Sequence, residues 1–179
     1  MAVSTKLKET KMRKICLAVA VAMLIGSASA QAGVRFKLGG GVDVATARLS
    51  LLGITLASVT KTYPYGGAGL AFSFAPKWGM EIDGKYVIVS GGTVIPIGVW
   101  FQFLAAPWFH LDLGGTATII SSMGISSTTI GFGAGLGFDI PFGQSVGLFL
   151  DVRYSRGIES VTVDQLFAGV GFRFGSYGK

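Results

Sequence analysis

The sequence predicts an all-β protein, a closed eight-stranded antiparallel up-and-down β-barrel that spans a membrane, and three observations carry that expectation. From residue 33 onward apolar side chains recur at every second position, the period of a strand. Half of the 179 residues are hydrophobic, yet no run of eighteen apolar residues could cross a bilayer as a helix. The connections between apolar segments alternate between tight ones carrying proline and looser ones rich in Ser and Thr. A barrel with two unlike ends has that pattern.

The first thirty residues have a different character. Lys6, Lys8, Lys11, Arg13 and Lys14 precede an apolar stretch from Ile15 to Ile25, and small residues at Ala28 and Ala30 follow it. This predicts a cleaved signal peptide over residues 1–30 and a mature barrel over 31–179. A shorter signal starting at Met12 has the same features. The full chain carries +6, but five of its fifteen basic residues and one of its nine acids precede residue 31. The mature chain is therefore 10 − 8 = +2, which gives no support for nucleic-acid binding. Cys16, the only cysteine, opens the apolar stretch where a lipidated cysteine would follow it. It would leave with the signal, removing disulfides, thiolate metal sites and cysteine nucleophiles from consideration.

The alternation is clearest from Ile130 to Ile140, where Gly131, Gly133, Gly135, Gly137 and Asp139 oppose Phe132, Ala134, Leu136 and Phe138. Strand one, near 33–45, sets Val34, Phe36, Leu38, Val42 and Val44 against Arg35, Lys37, Gly39, Gly41 and Asp43. Strand two, near 64–75, sets Leu70, Phe72 and Phe74 against Gly67, Gly69, Ala71 and Ser73. Strand three, near 79–90, sets Met80, Ile82 and Tyr86 against Glu81, Asp83 and Lys85. Strand four, near 93–103, has Ile95, Ile97, Val99, Phe101 and Phe103 outward with Gly98, Trp100 and Gln102 inward. Strand five, near 108–120, sets Phe109, Leu111 and Leu113 against His110, Asp112, Thr116 and Thr118. Strand seven, near 146–156, turns Leu148, Leu150, Val152 and Tyr154 away from Asp151, Arg153 and Ser155. Strand eight, near 164–174, turns Leu166, Val170, Phe172 and Phe174 away from Gly169, Gly171 and Arg173.

Segments of about ten residues suit tilted strands crossing hydrocarbon. Pro76, Pro107 and Pro141 mark the short connections after strands two, four and six. Both termini are then expected on the periplasmic side of a Gram-negative outer membrane. Phe74, Trp78, Phe103, Trp108, Phe109, Phe138, Phe142, Phe172 and Phe174 fall near that rim, with Tyr63, Tyr65, Tyr86 and Tyr154 toward the other. Two aromatic belts are expected where a membrane barrel meets its interfaces. A soluble barrel would show its charged face to water, yet here that face shares its positions with glycine. Hydrocarbon against the apolar face fits better, with ladder closure satisfying the backbone.

The inward charges predict an ion-pair network in the lumen. Arg35, Lys37 and Arg173 lie on strands one and eight, which meet at closure. Glu81, Asp83, Asp112, Asp139 and Asp151 lie across the lumen, with Lys85 and Arg153 among them. Eight strands enclose a space that side chains can fill, so a plug is expected, with a small ion path as the alternative. Trp100 or the arginines are expected against the glycine face of strand six.

The chain resembles the OmpA-type and OmpX-type eight-stranded outer-membrane barrels over residues 33–174. The most specific segment is Phe167-Ala-Gly-Val-Gly-Phe-Arg-Phe174, with Gly169, Phe172 and Phe174 at the places of the terminal signal read by the barrel-assembly machinery. Phe167 departs from the polar residue usual there, and residues 175–179 continue past the final aromatic. The resemblance implies a small integral protein without enzymatic activity that contributes to envelope structure or surface interaction. Its partners would be outer-membrane lipids and, during biogenesis, the assembly machinery and periplasmic chaperones. A lipid A acyl hydrolase and a narrow ion channel are the alternatives. The hydrolase needs a base beside a nucleophile. His110 is the only histidine, at the opposite end from Ser121, Ser122, Ser126 and Ser127. No metal-ligand spacing, cofactor motif or phosphate loop is recognisable, and the Gly-x-Gly repeats keep step with the alternation. Residues 46–62 form the longest candidate outer connection, with Leu51, Leu52, Ile54 and Leu56 either prolonging the first two strands or forming a partner surface.

Overall fold

The computed structural model describes residues 33–51, 54–122, 125–158 and 161–175, which form one closed barrel of eight consecutive antiparallel strands. They are β1 (Val34–Leu51), β2 (Ile54–Ala75), β3 (Trp78–Val89), β4 (Gly92–Ala106), β5 (Phe109–Ser122), β6 (Ile125–Pro141), β7 (Val146–Gly157) and β8 (Val161–Gly175). Every strand pairs with its neighbours in sequence, and β1 closes the ring on β8. The expected signal peptide, Cys16 and residues 176–179 lie outside the described residues.

The registers determine how the barrel is skewed. Perpendicular to the strands, Arg35 leads to Ala71, Glu81, Trp100, Gly114, Gly133, Ser155, Gln165 and finally Ala45. The circuit returns to β1 at a stagger of 45 − 35 = 10 residues. With a rise of ~3.3 Å per residue and a strand spacing of ~4.7 Å, that stagger tilts the strands by about 40°.

Burial is inverted relative to a water-soluble domain. Among the described residues the buried apolar side chains are few, namely Ala71, Val87, Pro96, Trp100, Phe149 and Phe167, whereas Arg35, Lys37, Glu81, Asp112, Arg153 and Arg173 are all buried. Phe101, Leu113, Phe132 and Phe172 project outward. Strict alternation places these sets on opposite faces, because successive Cβ atoms leave a strand on opposite sides. Charge therefore packs inside, and the large apolar residues clothe the wall.

The two ends differ, for reasons that trace to particular residues. At the end holding the described termini, Pro76 and Pro107 occupy tight turns and Pro141 ends β6. Backbone bonds stitch this end, among them Leu104 N–H to Lys77 O at 2.9 Å, Asp139 N–H to Trp108 O at 2.9 Å, and Gly175 N–H to Ser145 O at 2.8 Å. Aromatic rings cluster here, with Trp108 stacked on Phe138 at 6.0 Å and Trp78 beside Phe103 at 5.1 Å. At the other end β3 turns into β4 through Gly91, whose φ of 79° is a region side-chain-bearing residues avoid.

Of the two alternatives for residues 46–62 the structure shows prolonged strands, and the outer aromatic belt needs correction. Residues 46–62 are mostly paired strand: Thr46 pairs with Thr60, Arg48 with Ser58 and Leu51 with Ile54, with an irregularity between Leu49 and Ser50. Of that segment only 52–53 fall outside the described residues, and the side chains of Leu51, Leu52, Ile54 and Leu56 are not described. The β-branched residues along this stretch favour continued pairing over a loop. Tyr65 does not join the outer aromatic belt; it shares the inward face of Gly67 and Gly69 and meets Phe167 edge-on at 5.6 Å. The same parity carries Tyr63, opposite the buried Asp43, away from that belt. Tyr86 and Tyr154 do face outward.

Two further prolines lie within strands. β4 pairs with β3 from Trp78↔Phe103 to Gly84↔Ile97 and again from Val87↔Val94, skipping Pro96, which has no N–H to give. Pro64 sits where the β2–β3 ladder ends, one residue beyond Tyr65↔Val87.

Candidate functional site

The lumen gathers side chains from every strand around two hubs, Glu81 on β3 and Arg153 on β7. Glu81 Oε1 accepts from Lys37 Nζ at 3.0 Å and from Arg153 Nη1 at 2.8 Å. Its other oxygen accepts from Gln102 Nε2 at 3.1 Å and Arg173 Nη2 at 3.3 Å. One carboxylate thus meets three cations while wholly enclosed. Arg153 is the reciprocal case. It donates to Asp83 Oδ2 at 2.7 Å and through Nε to Asp112 Oδ2 at 2.8 Å, with Asp151 Oδ2 3.7 Å away. Its guanidinium also lies over the Trp100 ring at 4.9 Å from the centroid.

The remaining charges attach to these hubs. Lys37 pairs with Asp151 as well as Glu81, and lies 4.1 Å from the centroid of Phe149. Arg173 pairs with Asp139, and Arg35 lies 3.5 Å from the same aspartate while donating to Ser73 Oγ at 3.1 Å. Lys85 pairs with Asp83 at 2.5 Å and sits 4.8 Å from the centroid of Phe167. His110 Nδ1 lies 2.8 Å from Asp112 Oδ1, with Gln102 beside both. The lumen cations Arg35, Lys37, Lys85, Arg153 and Arg173 therefore each meet at least one carboxylate, and β1 and β8 supply three of them to acids on β3, β6 and β7.

The glycines make room for this assembly. A Cβ on Gly114 would come within 2.8 Å of Trp100 Cε3, and one on Gly135 within 2.6 Å of Arg153 Cγ. A Cβ on Gly137 would collide with His110 and Asp151. Trp100 thus rests against Gly98 and Gly114 on β4 and β5, rather than against the glycines of β6, which accommodate Arg153 and His110.

Above the hubs the lumen becomes less charged. Gln165 Nε2 donates to Asp43 Oδ2 at 3.1 Å, and Thr118 Oγ1 donates to Gln165 Oε1 at 3.1 Å. A recess of about 240 Å³ lies among Thr116, Thr118, Ser155 and Gln165. A second, of about 380 Å³ and continuous with solvent, lies among Tyr65, Lys85, Phe149 and Phe167 beside Arg153. Asp43 and Thr118 lie on the inward face as alternation predicts, whereas Phe149, Tyr65 and Gln165 are interior residues absent from that expectation. Phe149 keeps the parity of Asp151 and Arg153, so alternation alone held that signal.

One charged cluster lies on the outer wall instead. Asp164 on β8 occupies an outward position yet is nearly enclosed. Arg48 Nη2 lies 3.2 Å from its Oδ2, Arg156 Nε lies 3.8 Å from its Oδ1, and Tyr154 donates its hydroxyl to Oδ1 at 3.0 Å. Nothing in the alternation pattern distinguishes this group, because its three strands meet only through the closure of β8 on β1.

Among the described residues no group of three or more His, Cys, Asp and Glu is arranged to hold a metal ion. Gly169, Phe172 and Phe174, expected from the sequence to carry the assembly signal, lie on the last part of β8. Gly169 faces inward beneath the Tyr65 hydroxyl, and both phenylalanines face outward, with Phe174 stacked on Phe36 of β1 at 6.5 Å.

No protein-family model and no curated protein sequence matches the chain. Solved structures do resemble it. The outer membrane protein OprG of Pseudomonas aeruginosa superposes with a TM-score of 0.56 at 16% identity, over 81% of this chain and 96% of that one. Ail, the attachment invasion locus protein of Yersinia pestis, gives 0.51 at 18% identity, over 78% and 98%. Neisserial surface protein A gives 0.51 at 16% identity, over 78% and 96%. The chain has the fold of the eight-stranded outer-membrane barrels.

Proposed function

We propose that this protein is a non-enzymatic integral component of a Gram-negative outer membrane, exported by a cleaved signal over residues 1–30 and placed with both termini in the periplasm. The observation that carries this reading is the inverted burial: Glu81, Arg153 and Arg173 are enclosed while Leu113, Phe132 and Phe101 project from the wall. In water that surface would be an aggregation hazard, whereas in hydrocarbon it is the solvated face. The terminal β8 segment with Gly169, Phe172 and Phe174 would then be the part read by the assembly machinery after passage with periplasmic chaperones.

The lumen, on this reading, is closed by its own side chains. Arg153 reaches from β7 to Glu81 and Asp83 on β3, across the barrel, so the hubs occupy the cross-section a solute would need. What remains for function is the wall and the outer rim, where the paired extension of β1 and β2 stands, and the role is envelope structure or contact at the surface. The test is fractionation of cells expressing the full chain, with boiled and unboiled gel mobility. The expected result is recovery in the outer-membrane fraction at the mass of the chain without residues 1–30, with faster migration before boiling. A soluble protein whose mobility ignores heat would overturn the reading.

A further inference from the structure

We propose that Arg48 and Arg156, held side by side by Asp164 on the outer wall, form a clamp for the phosphate of a lipid in the outward leaflet. This rests on the membrane placement proposed above.

The cluster is unusual for its position. Among the described residues every other large charged grouping is inside, where hydrocarbon cannot reach it; this one is on the face that lipid touches. Its height explains how it is tolerated. Asp164 lies 174 − 164 = 10 residues along β8 from Phe174, which belongs to the aromatic belt at the other end. At ~3.3 Å per residue and a tilt of about 40°, that separation is about 25 Å, the thickness of the apolar band of such a barrel. The arginines therefore sit where acyl chains give way to headgroups.

Charge and geometry then select the ligand. Among the described residues of the cluster, two guanidiniums flank one carboxylate, an excess of one positive charge. The Arg48 and Arg156 side chains remain 45% and 52% exposed, so most of their five donors each are available. Asp164 lies within ion-pair distance of both arginines, and Tyr154 anchors Asp164 by donating its hydroxyl to Oδ1. Paired guanidinium forks match the several oxygens of a phosphate better than a single carboxylate. Immediately below the clamp the wall is apolar, with Leu166 beside Tyr154 and Val170 beside Leu150, all exposed on adjoining strands. A molecule with phosphate at the clamp and acyl chains along that track matches both halves of the surface. A free phosphate ion matches only one.

The purified barrel in a phosphate-free detergent can be mixed with bis-phosphorylated lipid A, its dephosphorylated counterpart or inorganic phosphate, and bound lipid read by native mass spectrometry. Retention of the phosphorylated lipid alone is expected, falling about tenfold in the Arg48→Gln, Arg156→Gln double variant. Equal retention by the double variant, or of the dephosphorylated lipid, would overturn the clamp. Displacement by an equal concentration of inorganic phosphate would make it a site for a soluble anion and overturn the lipid assignment. Heat-dependent mobility, measured on the same samples, reports separately on folding and on the membrane placement itself.

Discussion

Arg153 shows what a single side chain does in a lumen of this kind. Its guanidinium meets Glu81, Asp83 and Asp112 within 2.8 Å and has Asp151 nearby. Desolvating five charges together is expensive, so the cluster adds little net stability over an apolar filling, yet deleting one member leaves the others buried without compensation. Arg153→Met fills similar space but strands the acids, and it is expected to lower stability by about 3–5 kcal/mol. Urea unfolding in micelles at neutral pH reads this as a lower midpoint; an unchanged midpoint would mean that water already solvates these carboxylates. Alternation was enough to assign Lys37, Glu81 and Arg153 to one face, because parity is local. It could not assign partners. Whether Lys37 meets Glu81 or Asp139 depends on a ten-residue stagger that accumulates around the ring and appears in no single segment. Tyr65 was misplaced for a related reason: its ring suggested an interface, while its parity with Gly67 pointed inward, and parity decided.

At the scale of elements, β1 and β2 exceed what a membrane crossing requires. Each needs about 9–11 residues to cross, but they extend over 18 and 22. β3 accompanies β2 only as far as Tyr65, so the first half of β2 is paired with β1 alone. The apolar residues Leu51, Leu52, Ile54 and Leu56 already point to prolonged strands, and the register shows how far the pairing runs. A hairpin stabilised on one side contributes little to a closed barrel. Removing residues 47–59 and rejoining Thr46 to Thr60 through an Asn-Gly turn should therefore leave the barrel able to fold. Unboiled gel mobility after refolding checks this, with loss of the compact band showing that the extension nucleates closure. Because Arg48 leaves with the hairpin, the shortened protein should also lose the phosphorylated lipid.

For the whole molecule, strand number and stagger together limit what can pass through it. Eight strands at a stagger of ten enclose a backbone cylinder of roughly 8 Å radius, which ordinary side chains can fill. Here Trp100, Phe149 and Phe167 occupy it together with the ion-pair hubs; Trp100 presses on glycines of β4 and β5, Arg153 on Gly135 of β6, and Phe149 on Gly39 and Gly171 of β1 and β8. The fold class was legible from period and composition, because every strand obeys one alternation. The state of the lumen was not, since filling depends on how bulky residues from distant strands share a level. Planar-bilayer recording tests that state directly. The native protein is expected to give no unitary steps. Arg153→Ala, unlike a methionine at the same position, vacates the space between β3 and β7 and exposes Glu81, Asp83, Asp112 and Asp151 to one another. Their mutual repulsion is relieved by admitting cations and water, so that variant should show cation-selective steps. If the native protein conducts as well as the variant, the recess beside Lys85 and Tyr65 continues past Arg153, and the lumen is a path after all.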